Sequence, residues 1–516
     1  MELPADKKYL YIGKASDIKN GKDRFIYRLF EIFPGFLVWS TLISMVLLSW
    51  LKPALTAYFI IAFCTYWLLR AVYFSVHLLA EYKRMKKNLK IDWIKELEAL
   101  PATKWKDIYH LIVLPMYKED FQVLKGSFEA LKKCSYPKDR MIVVLATEER
   151  AGEEARAAAD KISERYGKEF FRFLVTCHPS DIQGEIAGKG SNETWAGKKA
   201  KEEIIDVLEI PYKNVIVSCF DADTQVYPQY FSCLVYHYLT SANPFRASYQ
   251  PIPLYMNNYW EAPFFSRVVA SSNVFWQMMQ QQRPEKIVTY SSHSMSFQAL
   301  VEMDFWQANV VSEDAGIFWK SFLFYDGKYR IVPLHYPLSM DSCVGETLWE
   351  TAKNQYCQQR RWAWGSEGIP YLLFGMMKNK KLPLKKGFTY LFLAIEGFWA
   401  WATNALLILC LGWLPLLLGG NEFTSTVLAY NLPVVTRELM TFALIGLFTG
   451  AVINDLLTRP YPAARSGKKK IFTVLQWLFF PFALVFFGAL PAIDAQTRLM
   501  FGKYMGFWVT PKKRKS

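Results

Sequence analysis

The residues of this chain with the clearest chemical potential are two aspartates, Asp221 and Asp223. They follow the apolar run 215–220, which predicts a buried β-strand. Because alternate residues of an extended strand point the same way, we expect the two carboxylates to converge on one point. Hard anionic oxygens at a strand end suit Mg²⁺ or Mn²⁺ carrying a phosphate group. The alternative is that the pair only ends the strand and enters a turn.

A second carboxylate pair, Glu313 and Asp314, follows Ser312 and precedes an apolar run. A correctly placed carboxylate can remove a proton from an attacking hydroxyl group. The same pair would also suit the first turn of a helix, where acidic side chains are favoured. Lys189 lies in the stretch 188–192, which opens a predicted helix. A lysine there suits a phosphate group, although an ordinary helix cap explains the pattern equally well.

The composition indicates a membrane protein with a globular middle part. Of the 516 residues 52% are hydrophobic and 16% aromatic, and the net charge is +15. Basic clusters border the apolar runs, at residues 83–87 and 468–470, which is typical of cytoplasmic loops rather than of a nucleic-acid-binding surface. The eight cysteines show no Cys-x-x-Cys spacing, so we expect reduced, mostly buried thiols.

Two membrane spans are predicted near the N-terminus, at residues 33–50 and 54–80. The tight connection between them predicts a helical hairpin, and flanking lysines place both of its ends in the cytoplasm. The polar start shows no cleavage site, so no removable signal peptide is expected. Residues 81–100 have helical periodicity and would either lie on the membrane surface or pack against a domain.

From about residue 104 onward, strand patterns alternate with helix patterns. Predicted strands cover residues 108–114, 140–146, 170–176 and 215–220. This alternation predicts an α/β domain with a parallel sheet covered by helices on both faces.

Together these elements resemble the processive, membrane-embedded branch of the family 2 glycosyltransferases, which contains the cellulose and hyaluronan synthases. The resemblance covers about residues 108–364 and implies a GT-A-like nucleotide-diphospho-sugar transferase domain, with a Rossmann-like mixed sheet, inserted between N- and C-terminal transmembrane helices. Four motifs carry it in family order: Pro115-Met116-Tyr117-Lys118-Glu119 (similar to Pro-x-Tyr-Asn-Glu), Asp221-Ala222-Asp223, Ser312-Glu313-Asp314 (similar to Thr-Glu-Asp) and Gln358-Gln359-Arg360-Arg361-Trp362 (similar to Gln-x-x-Arg-Trp).

The resemblance implies a role for each motif. Asp223 would bind the metal, Mg²⁺ or Mn²⁺, with Asp221 as a second ligand or a sugar contact. Asp314 would be the catalytic base, with Glu313 orienting it or touching the acceptor. Lys189 and Arg361 would bind the diphosphate. One base and one metal imply direct displacement with inversion of the anomeric centre.

The remaining donor and acceptor contacts are assigned in the same way. Trp362 would stack on an acceptor sugar ring. The chain departs from the family at the end of the second strand, where paired aspartates normally contact the nucleotide base and this chain has Thr147-Glu148-Glu149. Glu148 is our candidate for that contact, and the other predicted donor contacts are Pro115, Tyr117, Glu119 and Gln358.

Several of these residues have simpler alternatives. Arg360 and Arg361 would also suit a membrane border. Trp362 and Trp364 would also suit the aromatic belt at a membrane interface. His293 is interpreted as structural, because no neighbours give it the spacing of a metal ligand.

The C-terminal third of the chain returns to the membrane, with predicted spans at residues 388–418, 439–457 and 471–490. The first contains Glu396, and Asp455 lies at the inner end of the second. A carboxylate inside a membrane indicates a functional position. Glu396 would line a polysaccharide channel or pair with a neighbouring helix.

The tail, Phe507-Trp508-Val509-Thr510-Pro511-Lys512, is similar to the Phe-x-Val-Thr-x-Lys gating loop that covers the active site in cellulose-synthase-type enzymes. Its candidate residues are Phe507, Val509, Thr510 and Lys512. Five crossings from a cytoplasmic start would leave this basic tail outside. We therefore expect residues 471–490 to form a bent or re-entrant hairpin around Pro481, or a missed span within residues 388–418.

The predicted function is an inverting, processive β-glycosyltransferase that polymerises a sugar from a nucleotide sugar, with a UDP-sugar expected, and exports the polysaccharide through the inner or plasma membrane. Its partners would be the donor, the growing polysaccharide and the bilayer, without nucleic acid. The alternatives are a single-transfer enzyme acting on a membrane lipid and a non-catalytic transporter or channel. The predicted regions are a basic cytoplasmic start (1–32), a transmembrane hairpin (33–80), an amphipathic segment (81–103), the cytoplasmic transferase domain (104–354), interfacial helices (355–387), a second transmembrane region (388–490) and the cytoplasmic tail (491–516).

Overall fold

The computed structural model describes residues 3–100, 105–458 and 472–512. The basic cluster at 468–470, the first residue of the span predicted at 471–490 and the last four residues of the tail lie outside these ranges. Within them, an α/β domain is preceded and followed by long apolar helices.

An eight-stranded sheet forms the centre of the α/β domain, in the order β3-β2-β1-β4-β7-β6-β8-β5. The four predicted strands are confirmed, and they pair in parallel as β3-β2-β1-β4. The short strand β7 then pairs antiparallel with β4 and β6, so the sheet is mixed. The strands are β1 (Tyr109–Pro115), β2 (Met141–Glu148), β3 (Arg172–His178), β4 (Val215–Cys219), β5 (Gln225–Val226), β6 (Ala247–Leu254), β7 (Ser294–Ser296) and β8 (Arg330–Ser339).

Strand β7 has no hydrophobic run that would predict it from sequence. Its residues are two serines around one methionine, and the Ser294 hydroxyl forms a hydrogen bond of 2.7 Å with the Ser218 hydroxyl of β4. The buried polar pairing explains why a strand occurs here without the usual apolar pattern.

Helices cover both faces of the sheet, as predicted. Helices α4, α5 and α7 pack on one face, and α6, α9, α10 and α12 pack on the other. The domain helices are α3 (Trp93–Glu98), α4 (Phe121–Lys133), α5 (Glu153–Tyr166), α6 (Lys189–Ala200), α7 (Tyr230–Thr240), α8 (Phe264–Gln281), α9 (Phe297–Glu302), α10 (Glu313–Phe324), α11 (Leu348–Ala363) and α12 (Gly368–Lys378).

The segment predicted as one amphipathic helix is divided between two helices. The second apolar helix continues to Asn88, and α3 follows separately. Trp93 and Leu97 of α3 are buried in the core cluster that contains α7. These contacts favour the domain-packing alternative over a helix lying on the membrane.

Within the described residues, five helices are long and apolar enough to cross a membrane. No further span begins inside residues 388–418, because α13 is followed by two helices of five residues each, α14 (Leu414–Leu418) and α15 (Gly420–Thr424). The five helices are α1 (Gly21–Leu51), α2 (Pro53–Asn88), α13 (Leu384–Leu409), α16 (Val427–Leu457) and α17 (Phe472–Met500).

Helix α17 is irregular and touches the α/β domain in both halves. A 3₁₀ turn precedes Pro481 and a π-helical stretch follows it. The Trp477 ring stacks on Phe275 at 5.6 Å, and the Phe487 ring stacks on Phe265 at 5.5 Å. Both partner rings belong to α8. Residues Phe472–Met500 form one helix that is long and apolar enough to cross a membrane, so this segment does not fold back as a hairpin around Pro481.

The carboxylate within the predicted span, Glu396, has a partner on a neighbouring helix. The Arg70 guanidinium lies 3.3 Å from Glu396 Oε1, and the Tyr66 hydroxyl donates to the same oxygen at 3.2 Å. Glu396 therefore pairs with a neighbouring helix, which was one of the two expectations for this residue.

Candidate active site

The two aspartates lie in a turn that leaves the centre of the sheet. Strand β4 ends at Cys219, and the Thr224 amide donates to the Asp221 carbonyl at 2.9 Å. The two carboxylates converge because they lie in a turn, and the prediction that they would converge as alternate residues of an extended strand is wrong. Lys512 Nζ lies 2.5 Å from Asp223 Oδ1 and 4.0 Å from Asp221 Oδ2, so both carboxylates face one cation.

Asp223 is held rigidly by its surroundings and is only 1% exposed. The Asp341 amide donates to Asp223 Oδ2 at 2.9 Å, and the Asn257 side chain donates to the Asp223 carbonyl at 2.9 Å. Burial raises the pKa of Asp223 to about 6, although Lys512 opposes the shift. At neutral pH this carboxylate depends on a nearby cation to remain charged.

Lys189, the first residue of α6, links the two pairs of carboxylates. Its ammonium lies 3.0 Å from Asp221 Oδ1 and donates to both oxygens of Asp314, at 2.8 and 3.0 Å. Burial alone would lower the pKa of Lys189, but the surrounding carboxylates raise it well above the usual value. The same contacts, against the effect of burial, hold the pKa of Asp221 below its usual range.

Glu313 and Asp314 form the first turn of α10, as the local alternative predicted. The preceding loop is fixed by Glu367, whose Oε1 accepts from the amides of Val311 at 3.2 Å and Ser312 at 2.8 Å. The helix also needs a glycine opposite it, because a Cβ on Gly190 would lie 2.9 Å from the Cβ of Glu313. This close packing brings the start of α6 against the start of α10.

A third carboxylate, Glu193, was not identified from the sequence. Its side chain is completely buried one turn after Lys189, 3.5 Å from the ammonium. Oxygens of Glu193, Glu313 and Asp314 all lie within 4.8 Å of one another. Burial and the neighbouring carboxylates raise the pKa of Glu313 to about 8 and the pKa of Glu193 well above its usual value. Glu313 therefore carries a proton at neutral pH.

His293 forms part of the wall of this site. Its Nδ1 lies 3.1 Å from the Tyr290 carbonyl and 3.8 Å from Asp314 Oδ1. Burial lowers the pKa of His293 to about 4, so the ring is neutral beside the carboxylate. The sequence interpretation of a structural histidine did not predict that it would lie next to the candidate base.

The tail lies across the site. A Cβ on Gly188 would be 2.5 Å from the Cβ of Phe507, so only glycine permits this approach. The Arg361 guanidinium lies over the Phe507 ring at 4.7 Å. Gln358 Nε2 approaches Thr510 Oγ1 at 3.5 Å. Val509, the residue before Thr510, is partly buried. The tail thus reaches the start of α6 at Gly188, the predicted diphosphate contact Arg361 and the aspartate turn.

The predicted donor contacts near the ends of β1 and β2 form a separate group. Pro115 is buried at the end of β1, and the Tyr117 amide donates to Glu119 Oε2 at 2.7 Å. Arg150 lies over the Tyr117 ring at 4.4 Å and pairs with the buried Glu148. A cleft opens here, lined by Glu148, Arg150, His178, Pro179, Ser180, Ile182, Glu185 and Ala187.

Helix α11 presents its motif residues in different directions. Arg360 pairs with Asp494 of α17 at 2.8 Å, so it connects two helices. The Trp362 ring is partly buried, 6.4 Å from the Tyr255 ring. Trp364 is buried and its Nε1 donates to Glu367 Oε2 at 2.7 Å, so the interfacial alternative is wrong for Trp364.

Sequence reasoning missed four residues that shape the site: Glu193, Glu367, Asn257 and Asp341. Glu193 had a usable signal, because a residue four positions after Lys189 on a helix lies on the same side. The others come from distant loops and carry no local pattern.

The fold and the site define a class of protein in which an α/β domain with a buried cluster of carboxylates is joined to long apolar helices. Residues 216–490, just over half of the chain, match the family described as Glycosyl transferase family group 2. The chain belongs to this family of glycosyltransferases. The predicted fold class, an α/β transferase domain between N- and C-terminal apolar helices, is confirmed.

Solved structures with a similar fold also include glycosyltransferases. A mannosyltransferase from Pyrobaculum calidifontis, in complex with GDP-Man and Mn²⁺, is 14% identical, with a TM-score of 0.41 over 77% of this chain and 98% of that chain. TarS 1-349 from S. aureus with UDP-GlcNAc is 11% identical, with a TM-score of 0.37 over 66% and 90%. No curated protein matches the chain by sequence.

Proposed function

We propose that this glycosyltransferase is an inverting, processive polysaccharide synthase of the cellulose and hyaluronan synthase type. The observation that carries the proposal is a chain of ion pairs that joins three distant segments. Lys512 of the tail pairs with the aspartate turn, and the turn is linked through Lys189 to Asp314 at the start of α10. A nucleotide sugar, with a UDP-sugar as the expected donor, would have its diphosphate at the turn. The acceptor hydroxyl would approach Asp314.

The aspartate turn fits a divalent cation, Mg²⁺ or Mn²⁺. Its carboxylates face a common point that a cationic group already approaches, at 2.5 Å from Asp223 Oδ1. Asp223 and Asp221 would hold the ion. When bound, the ion would neutralise charge that develops on the leaving diphosphate.

The protein's own residues would perform the remaining steps. Asp314 would take the proton of the acceptor hydroxyl, with the protonated Glu313 beside it available to donate a hydrogen bond to the acceptor. Lys189, Arg361 and Lys512 would stabilise the negative charge on the diphosphate. A single base on one side of the sugar is consistent with direct displacement and inversion.

The donor's base would occupy the cleft beside Glu148. The Arg150 guanidinium, which lies over the Tyr117 ring, would offer a stacking surface there, and Glu148 would offer a hydrogen-bond acceptor. On the other side of the site, Trp362 would offer its ring to an acceptor sugar.

The membrane arrangement would have four crossings, α1, α2, α13 and α16, with α17 bent against the α/β domain. This even number keeps the tail and the catalytic domain together in the cytoplasm. It agrees with the basic residues at the C-terminal end of α2, at positions 83–87. We place the protein in the inner or plasma membrane, with the bilayer and the growing polysaccharide as its partners.

Turnover of a panel of nucleotide sugars by the purified protein in lipid nanodiscs tests the proposal. The expected result is nucleotide release from one donor together with a long, polydisperse, β-linked product. A single sugar attached to a lipid would contradict processivity. Absence of nucleotide release for every donor, in protein with intact thermal unfolding, would favour a non-catalytic transporter.

A further inference from the structure

The ammonium of Lys512 occupies the position expected for a cation in the aspartate turn. It lies 2.5 Å from Asp223 Oδ1 and 4.0 Å from Asp221 Oδ2. Only 17% of the Lys512 side chain is exposed. Two carboxylates buried side by side repel each other, and a positive charge between them offsets that cost.

We propose that Lys512 is a tethered counter-ion of the metal site, so that its ammonium and the divalent cation bind the same carboxylates and exclude each other. The inference rests on the metal role given to Asp221 and Asp223 in the proposed function. It adds that the chain itself supplies a competitor for the metal.

The geometry explains why the two cations are exclusive. Asp223 Oδ2 already accepts the Asp341 amide at 2.9 Å, so Oδ1 is the oxygen left for a cation. Lys512 holds that oxygen. A divalent ion bound at Oδ1 would meet the ammonium at a distance where two positive charges repel strongly.

The rest of the tail is fixed, so only its end has to move. Arg28 donates to the Leu499 carbonyl at 2.9 Å, and the Tyr504 hydroxyl donates to Glu31 Oε2 at 2.8 Å. Phe507 is packed against Gly188. Displaced from Asp223, Lys512 would remain within the site and would be free to pair with a phosphate oxygen, for which lysine is well suited.

Exchange of this kind links loading of the site to the position of the tail. With no metal present, Lys512 balances the buried charge and holds the tail across the site. When the metal arrives with the diphosphate, the negative charge moves from the carboxylates to the phosphate oxygens. The same lysine can follow that charge over a short distance.

The experiment measures Mn²⁺ binding to the full-length purified protein in nanodiscs, without donor, by electron paramagnetic resonance. Removing the competitor with Lys512→Gln should tighten Mn²⁺ binding by about tenfold, as expected if Lys512 occupies the site about nine-tenths of the time. Lys503→Gln is the matched control, because Lys503 is an exposed residue of the same tail and its substitution removes the same positive charge. It should bind Mn²⁺ as the wild type does.

Asp223→Asn distinguishes the possible failures. Equal or weaker Mn²⁺ binding by Lys512→Gln, with binding that still depends on Asp223, would overturn the inference and leave the proposed function intact. Absence of any Asp223-dependent Mn²⁺ binding in either background would overturn the metal role and the inference together.

A second measurement uses the unmodified protein. Hydrogen–deuterium exchange of residues 508–512 should become faster when Mn²⁺ is added without donor, because Lys512 loses its partner. Unchanged exchange at saturating Mn²⁺ would overturn the inference.

Discussion

The two acidic groups of the site differ in how many cations they share. The donor-side group, Asp221 and Asp223, has Lys189 on one side and Lys512 on the other. Among the described residues, Lys189 is the one cation within ion-pair distance of the acceptor-side group, which consists of Glu193, Glu313 and Asp314. Three carboxylates around one ammonium cannot all be charged at low cost.

The difference has a direct electrostatic consequence. On the donor side the lysines, against the effect of burial, hold the pKa of Asp221 low, and Lys512 opposes the effect of burial that raises the pKa of Asp223 to about 6. On the acceptor side burial and crowding raise the pKa of Glu313 to about 8 and the pKa of Glu193 well above its usual value. Within this group, only Asp314 accepts hydrogen bonds from Lys189 with both of its oxygens. We therefore infer that Asp314 acts as the base and that Glu193 and Glu313 position it.

Removal of the base should have the largest effect. Asp314→Asn keeps the size of the side chain but cannot accept a proton, so kcat should fall by about 10²–10⁴-fold. The donor KM should change little, because the diphosphate is held on the other side of Lys189. Initial rates of nucleotide release measure both parameters. A near-normal kcat would move the role of base to Glu193 or Glu313.

Loss of a donor-side carboxylate should come next. Asp223→Ala removes the buried oxygen closest to Lys512 and should lower turnover by about 10²–10³-fold, the loss of a few kcal/mol of charge stabilisation. Mn²⁺ binding should disappear at the same time, while thermal unfolding shows an intact domain. Full activity in excess chelator would contradict a metal role.

The sequence was sufficient to predict the features of the fold and the site that have local patterns. The parallel strands β1 to β4 follow from apolar runs, and both acidic pairs follow from short motifs at strand and helix ends. The proximity of the two acidic pairs could not be predicted in this way. It depends on Lys189, which contacts Asp221 of one pair and Asp314 of the other across the domain.

Other features depended on packing that no local pattern encodes. Strand β7 is too short and polar to be predicted, although it joins the two halves of the sheet. Glu367 reaches the loop before α10 from a helix that follows α11. The need for glycine at position 188 is visible only once Phe507 of the tail lies against it.

Displacement of the tail from the site should have an intermediate effect. Gly188→Ala should push Phe507 away and lower polymer synthesis by about tenfold, since small displacements of positioning groups are costly in enzymes. Donor hydrolysis should rise relative to transfer, because a closing loop excludes water. Product analysis and nucleotide release measure the ratio.

The double variant Gly188→Ala, Phe507→Gly is the control for this change. It removes the Cβ at position 507, and with it the clash, while leaving the alanine at position 188, so its hydrolysis-to-transfer ratio should match that of Phe507→Gly alone. If Gly188→Ala retains both normal synthesis and a normal ratio, contact between the tail and α6 is irrelevant to catalysis.

The smallest effect is expected for Glu313→Gln at pH 7. Because the pKa of the buried Glu313 is raised to about 8, its carboxyl group is already protonated there, and glutamine is a neutral side chain of similar shape. Activity should remain within about threefold of the wild type, well above that of Asp314→Asn, in which the base itself is lost. A loss as large as that of Asp314→Asn would mean that Glu313 acts as an anion and that the acceptor-side group has been assigned wrongly.

The pH dependence of stability gives the same variant a second measurement. The folded state holds a proton on Glu313 up to about pH 8, whereas the unfolded chain releases it near the ordinary value of 4.5. Stability is therefore greatest below the unfolded pKa and is lost as pH rises through the folded pKa. Glu313→Gln has no such proton to lose. Its Tm, measured in nanodiscs from pH 5 to pH 9, should rise relative to that of the wild type until about pH 8 and then level off. A constant Tm difference across that range would show that Glu313 is already ionised in the folded protein, and Lys189 would then balance more than one charge on the acceptor side.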